Sequence, residues 1–494
     1  MYIRSLIFRP RGCIEERISR QNQNNQRVKL LRSCYAASAC PVPISLGSVS
    51  YSFLAPALRE SLSNSKFSQA TWVVPGEADE WCASCAYAAP RSVIFSSDSD
   101  MLLYEYHAET RIMFFNDIEL MTEPEFKGYS PAHMTQNLGL TSLVPFAYYL
   151  MQDKHQLFNS LVERAKDVDV ESKDYIDFSR RYGPGTSEPD ILHENEVPVI
   201  FERLSKIPQN LDVRVSELVD QLQNNISSPA FYLPLLVEDP NSASAWNVGQ
   251  DIRILAYSLL SCSIQAQPQT VREYLRKAQT ITTQHLTLPN PPSILTTSIT
   301  NLDTLLRTSL SIIRARQTPP ELTFPLLSIF VILLPSLPSP PKISLLIRLL
   351  HADYEKTWDF VHLTARYHAI LYSLRILKQS LSLALSLTPS TFPDQEQLSQ
   401  LHELLVDMPS IEELFLVPGQ AKVVSGNEER LRRLLPEMYR ECGVEVPSEV
   451  DKKKAKKRGR EAERKERRKR EKEKEGGAKD GKAEWNVFDV LGGG

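Results

Sequence analysis

Residues 73–106, VVPGEADEWCASCAYAAPRSVIFSSDSDMLLYEY, decide how this chain is read. They place two acidic pairs, Glu77/Asp79 and Asp98/Asp100, in otherwise apolar sequence. "ATWVV" has the β-branched content of a strand, "GEADEWCASCAYAA" reads as a helix, and "SVIFSS" reads as a second strand. Strand, helix and strand joined by short connections predict a parallel β-α-β unit. In open α/β sheets functional groups gather beyond the carboxyl ends of parallel strands. With the two strands as neighbours, all four carboxylates converge on one sheet edge.

Carboxylates held a few ångströms apart repel and raise one another's pKa, and a divalent cation relieves that repulsion. Mg²⁺ and Mn²⁺ take oxygen ligands, and a pair of such ions about 3.5–4 Å apart activates water and stabilises the leaving oxygen in phosphodiester hydrolysis. The competing reading is purely structural. Glu77 and Asp79 favour the N-terminal end of the helix that follows them, and Asp98 and Asp100 start the next one.

Upstream, "FLAPALRESLS" predicts a helix, while residues 1–50 show no sustained period and read as irregular. Downstream, "HMTQNLGL" and "LVPFAYYLMQD" predict a helix pair, and the polar stretch "RRYGPGTSEPD" a boundary. Beyond it lie Leu/Ile-rich helical patterns such as "RVSELVDQLQNNI", "SILTTSITNLDTLLRTSLSIIRAR" and "KTWDFVHLTARYHAILYSLRILKQSLSLALSL", punctuated by Pro319/Pro320 and Pro338/Pro340/Pro341. They show no fixed repeat. The expected organisation is an irregular segment (1–50), an α/β domain (51–165), an α-helical domain (190–445) and a disordered basic tail (446–494).

With 494 residues, 42% of them hydrophobic, the chain can bury a sizeable core. Its net charge of −3 hides an asymmetry: residues 452–475 hold fifteen Lys or Arg against six Glu, +9, which leaves −12 for the rest. The cluster Lys452, Lys453, Lys454, Lys456, Lys457, Arg458 and Arg460 fits a nuclear address or a nonspecific RNA or DNA contact. Glu residues interleaved further along equally fit a solvated charged helix with i,i+4 pairs. The final "EWNVFDVLGGG" reads either as a docking peptide or as an ordinary end, and protein partners are expected through the helical domain.

The acid-free start "MYIRSLIFRPRG" has some transit-peptide character, but the tail points to the nucleus. Seven cysteines, an odd number without a secretory signal pattern, fit a reducing compartment. Cys82 and Cys85 have no second C-x-x-C at finger spacing and read as small buried helix residues rather than zinc ligands. "FPLLSIFVILLPSLP" falls short of the ~20 residues a membrane span needs, so a buried helix is expected and no membrane partner. No Ser/His/Asp motif or phosphate-binding G-x-x-x-x-G-K-[ST] is present, and His362 and His368 read as satisfied core or surface residues.

"PGEADEWCA" and "SSDSDMLLY" resemble the internal motif of the flap-endonuclease/XPG superfamily, which reads P-x-E-A-E-x-x-C-A followed by an E/S-D-x-D strand end. "LGLTSLVPFAYYLMQD" looks like the family helix whose end carries a further metal-binding Asp. The resemblance covers residues 50–160. It implies a PIN-like fold, a Mg²⁺ or Mn²⁺ site at Glu77, Asp79, Asp98, Asp100 and Asp153, and structure-specific endonuclease activity on nucleic acid. The long helical extension and basic tail look most like the Asteroid branch.

The departures are specific. Residues 1–50 hold only Glu15 and Glu16 as acids, so the family's first two metal-binding Asp residues are absent and the N-terminal part of the family domain is expected to be missing. "KHQLFNSLVERAKDVDVESKDY" lacks the glycines of the family's duplex-gripping helical turn. Asp79 shortens the usual Glu, and Pro145 is expected to interrupt the helix presenting Asp153. These departures imply an incomplete two-ion site and, as the alternative function, a catalytically inactive PIN-like scaffold.

Overall fold

A computed structural model describes residues 2–4, 23, 26, 52–74, 78–89, 91–118, 126–180, 182, 204–239, 241–266, 268–277, 280–289, 292–334, 340–352, 357–387, 395–414 and 428–448. Glu77, the basic cluster Lys452–Arg460 and most of residues 1–50 lie outside them. Among the described residues the fold is mixed α/β and mostly helical, with three small sheets. It divides into two compact units, Met1–Ile332 with Tyr354–Gln420, and Leu333–Asp353 with Ala421–Gly494.

In the first unit the quoted stretch forms β2 (Trp72–Val74), α2 (Ala78–Tyr87) and β3 (Val93–Ser96), as the sequence predicts. The expected single sheet does not form. β2 pairs in parallel with β1 (Tyr2–Arg4), a strand in the segment expected to be irregular. β3 pairs in parallel with β4 (Arg111–Phe114), and β4 in turn pairs antiparallel with β5 (Gly128–Tyr129). The reason lies at Val73, whose N–H donates to Gln209 Oε1 (2.7 Å) and whose carbonyl accepts from Gln209 Nε2 (3.0 Å). A side-chain amide thus occupies the edge of β2 that a neighbouring strand would need.

Helix α2 has two apolar faces. Ala78 and Trp81, with Cys85 against them, pack on Val74, Leu204 and Ile207. Ala86, with Cys82 beside it, packs on Ile94, Met101 and Ile112. The i, i+3/i+4 spacing of these residues puts one set on each side of the helix. Cys82 and Cys85 are both half-buried and fall to opposite faces.

Preceding β2 is α1 (Leu54–Ser63); following β5 come α3 (Pro131–Leu138), α4 (Val144–Gln152), α5 (Phe158–Lys166) and α6 (Lys173–Ser179). Pro145 does not interrupt α4: it occupies the first turn, where the missing N–H would have had no intrahelical partner.

The stretch expected to form an α-helical domain also contains a sheet. After α7 (Val213–Gln223), β6 (Ala230–Tyr232) connects through α8 (Gln250–Ser263) to β7 (Thr270–Lys277), which runs parallel to β6 and pairs antiparallel with β8 (Thr280–Thr287). This is the β-α-β crossover that the sequence placed elsewhere. Its signal was masked by charge, because β7 buries Glu273 and Arg276 where a buried strand normally carries apolar residues.

Those charges are paired. Arg253 of α8 grips Glu273 through Nε (2.6 Å) and Nη2 (2.9 Å), and also donates to the Trp246 carbonyl (2.8 Å) and Ser373 Oγ (3.1 Å); Tyr257 donates to Glu273 as well (2.8 Å). Burial alone would lower the Arg253 pKa, but the Glu273 carboxylate outweighs it and the pKa is raised. Arg276 pairs with buried Glu238 (2.7 Å).

The long helices follow as expected: α9 (Pro292–Ala315), the apolar α10 (Thr323–Leu333) and the 30-residue α12 (Trp358–Leu387), which lies along α8. Gly249, with φ +80°, sits against α12; a Cβ there would meet Ser373 Oγ at 3.0 Å. Two short helices, α13 (Gln395–Glu403) and α14 (Ile411–Leu414), complete this unit. Among the described residues no helix is long and apolar enough to cross a membrane.

The second unit is built on α11 (Ile343–Leu350) and α15 (Glu428–Glu441). Leu346, Ile347, Leu349 and Leu350 are buried on α11, and Leu431, Leu434, Leu435, Met438 and Tyr439 on α15. The Tyr439 hydroxyl donates to the Pro341 carbonyl.

Two outcomes follow. Arg253→Met should destabilise the first unit by about 3–5 kcal/mol, because Glu273 is left charged and buried, and adding Glu273→Leu should recover much of that loss; urea unfolding measures both. His362 on α12 is buried, with neither ring nitrogen hydrogen-bonded and the Glu238 carboxylate 4.0 Å away. The expectation of a satisfied histidine fails here. Burial, then Arg366 and Arg276, push its pKa down to about 4 from an ordinary 6.5, so between those values the unfolded chain binds more protons than the folded one. Stability should therefore fall as pH drops from 6.5 towards 4. His362→Leu should reduce that slope by up to about 1.4 kcal/mol per pH unit in denaturant titrations at stepped pH.

Candidate functional site

The acids at the end of β3 are held by their own turn. Asp98 caps the 3-10 segment Ser99–Leu103, its Oδ1 accepting from the Asp100 N–H (3.1 Å), while its own N–H donates to Ser96 Oγ (2.9 Å). Asp100 Oδ2 accepts from the hydroxyl of Tyr182 (2.9 Å). Tyr182 is itself buried between Tyr104 and Phe178, at centroid distances of 5.6 Å from each. Both aspartates are exposed, at the carboxyl end of a strand in a parallel pair. Tyr182 was not foreseen: it lies 82 residues from Asp100, and no local pattern ties them.

Asp79 stands in the first turn of α2, where the helix dipole favours an acid. Tyr106, beside the Asp98 turn, feels the Asp79 charge. The Tyr106 hydroxyl donates to the Met101 carbonyl (2.9 Å), and its pKa is raised by burial, then by Cys82 and Asp79. Burial, followed by the Asp79 charge and Cys85, pushes the Cys82 thiol up to about 12. Cys82 is a protonated packing residue at neutral pH and a poor nucleophile.

Asp153 is the C-terminal cap of α4. Its N–H donates to the Tyr149 carbonyl (3.1 Å) and its Oδ1 accepts from the His155 N–H (3.0 Å), a local turn. It is exposed.

The five acids read from the sequence thus divide. Asp98 and Asp100 share one turn, Asp79 stands in the first turn of α2, Asp153 caps its own helix, and Glu77 lies outside the described residues. Among the described residues, no three His, Cys, Asp or Glu side chains are grouped to hold a metal ion. A two-ion centre needs carboxylates shared between cations about 3.5–4 Å apart.

The same small sheet has a second feature. Ile94 and Ile112 face inward and are buried, so the register turns Val93, Phe95, Arg111 and Met113 outward. Phe95, Phe115 and Phe126 are each about half exposed on that side, with Phe95 6.2 Å from each of the other two rings.

A family model described as XPG domain containing matches residues 50–288. This match supports a relation to the XPG/flap-endonuclease superfamily, a nuclease-like family. It extends well past residue 160 and ends beside β8, so the crossover built on Arg253 and Glu273 lies within the matched domain. No curated protein and no solved structure matches the chain.

Removing the Asp98 cap by Asp98→Ala should cost about 0.5–2 kcal/mol in thermal unfolding, whereas Asp98→Asn, which keeps the acceptor, should stay close to the parent.

Proposed function

We propose that this protein is a nuclease-related module of the XPG type that works on nucleic acid by binding it. The XPG-type match supports the substrate class. The observation behind the binding reading is the hydrogen bonding of the acids: Asp98 caps its own turn and Asp100 takes the Tyr182 hydroxyl. PIN-like ancestry and the Asteroid branch are the finer reading, resting on the motifs at residues 75–83 and 96–104 and on the helical extension. The basic cluster Lys452–Arg460 supplies a nuclear address and salt-sensitive phosphate contacts. The helices within 190–445 supply surfaces for protein partners.

A second reading has an observation of its own. Asp98 and Asp100 are exposed just past a strand whose partner runs parallel, the position where open α/β sheets carry their sites. This favours a Mg²⁺-dependent endonuclease with Glu77, Asp79, Asp98, Asp100 and Asp153 as ligands.

One experiment separates the two. The full chain is incubated with flap and single-stranded DNA and RNA and Mn²⁺, with binding followed at low and physiological salt. Salt-sensitive binding without cleavage is expected. Mn²⁺-dependent cleavage that disappears in Asp98→Ala/Asp100→Ala would replace the binding reading with the endonuclease.

A further inference from the structure

We infer that the outward face of the β3–β4–β5 sheet is a stacking platform for the bases of a single-stranded nucleic acid. This rests on the nucleic-acid reading above and assigns it a site away from the carboxylates.

The aromatic rings carry the inference. Phe95 (48% exposed), Phe115 (54%) and Phe126 (47%) form one continuous group, flanked by Val93 (49%). Phe95 and Phe115 lie 30° from parallel, and Phe126 meets Phe95 edge-on at 80°. The inner side of the sheet is filled by Ile94 and Ile112 against Met101 and Ala86, so the outer rings contribute nothing to that core. A contiguous exposed apolar group of this kind marks an interaction surface, whereas scattered single residues would not.

Cations flank the rings, while Asp117, two residues past Phe115, is engaged by the Tyr129 hydroxyl (2.8 Å). Arg111 opens β4 in register with Val93, and its Nη1 donates to the carbonyls of Ala108 (2.7 Å) and Thr110 (3.0 Å). Carbonyls fix the guanidinium in place without neutralising it. Lys127 is exposed and adjacent to Phe126. Arg91, exposed two residues before β3, faces Glu109 at 3.1 Å, a surface pair weak enough to exchange for a phosphate. Asp98 and Asp100 stand at the opposite end of β3, so the phosphate chain is directed to the Arg91–Arg111 end. Every base offers a π face to an aromatic ring, which makes such binding tolerant of sequence. A duplex hides those faces in its own stack, so the ligand is single-stranded.

The test measures affinity of the full chain at physiological salt for two end-labelled probes of equal length, oligothymidylate and an abasic strand. Phe95→Leu/Phe126→Leu keeps apolar volume and removes both rings; Phe95→Ala/Phe126→Ala serves as a second variant, with thermal unfolding checking that each folds. The expected result is about five-fold or greater weakening per ring for oligothymidylate, with affinity for the abasic strand unchanged. Equal oligothymidylate affinity in parent and variants would overturn the platform while leaving nucleic-acid binding standing, and would return the face to protein contacts. Equal losses for both probes would overturn stacking. A parent chain that binds neither probe would overturn the platform and the function it rests on together.

Discussion

The buried pair of Arg253 and Glu273 is the constraint on which the first unit depends. Both side chains are removed from water, and desolvating two charges is tolerated only when geometry and extra hydrogen bonds compensate. The compensation comes from Tyr257, Ser373 and the Trp246 carbonyl, so one cluster ties α8, β7 and α12 together. Each of these elements must hold its place to within a hydrogen-bond length. Gly249, where a side chain would collide with Ser373, allows the approach of α8 to α12 that this requires. Arg253, Glu273, Tyr257 and Trp246 fall within the matched residues 50–288, and Ser373 of α12 supports them from outside that span.

A comparable polar device shapes the region that carries the acids. The Gln209 amide imitates a strand edge at Val73 and closes β2 to β3, so the two motif-bearing strands sit in separate sheets bridged by α2. This separates the acids that a single sheet would have gathered. What lies past β3 is a hydrogen-bonded turn beside a sheet whose outer face is aromatic.

Much of the fold was legible because its helices have sustained apolar periods: α1, α2, α4, α7, α9, α10 and α12 fall where the patterns predict them. The strands β2 and β3 were legible from β-branched runs. The sheet of β6, β7 and β8 was not, since Glu273 and Arg276 break the apolar alternation of β7 and only long-range partners make them acceptable inside. Strand β1 is three residues long, too short to show a period. At the site, the identity of the acids was readable and their grouping was not. Tyr182 reaches Asp100 across 82 residues, and the half-exposed Phe95, Phe115 and Phe126 look in sequence like ordinary core residues.

By itself the sequence determined the residue types available: two acidic pairs beside strands, long amphipathic helices, and a basic run segregated near one end. These follow from local spacing, which fixes helix faces and strand alternation within a few residues. Tertiary structure alone decided which strands pair, that Gln209 closes an edge, that a carboxylate and a guanidinium share a dry interior, and that three phenylalanines face outward. Such outcomes depend on partners distant in sequence, because a hydrogen bond or an ion pair is specified by where two groups meet in space.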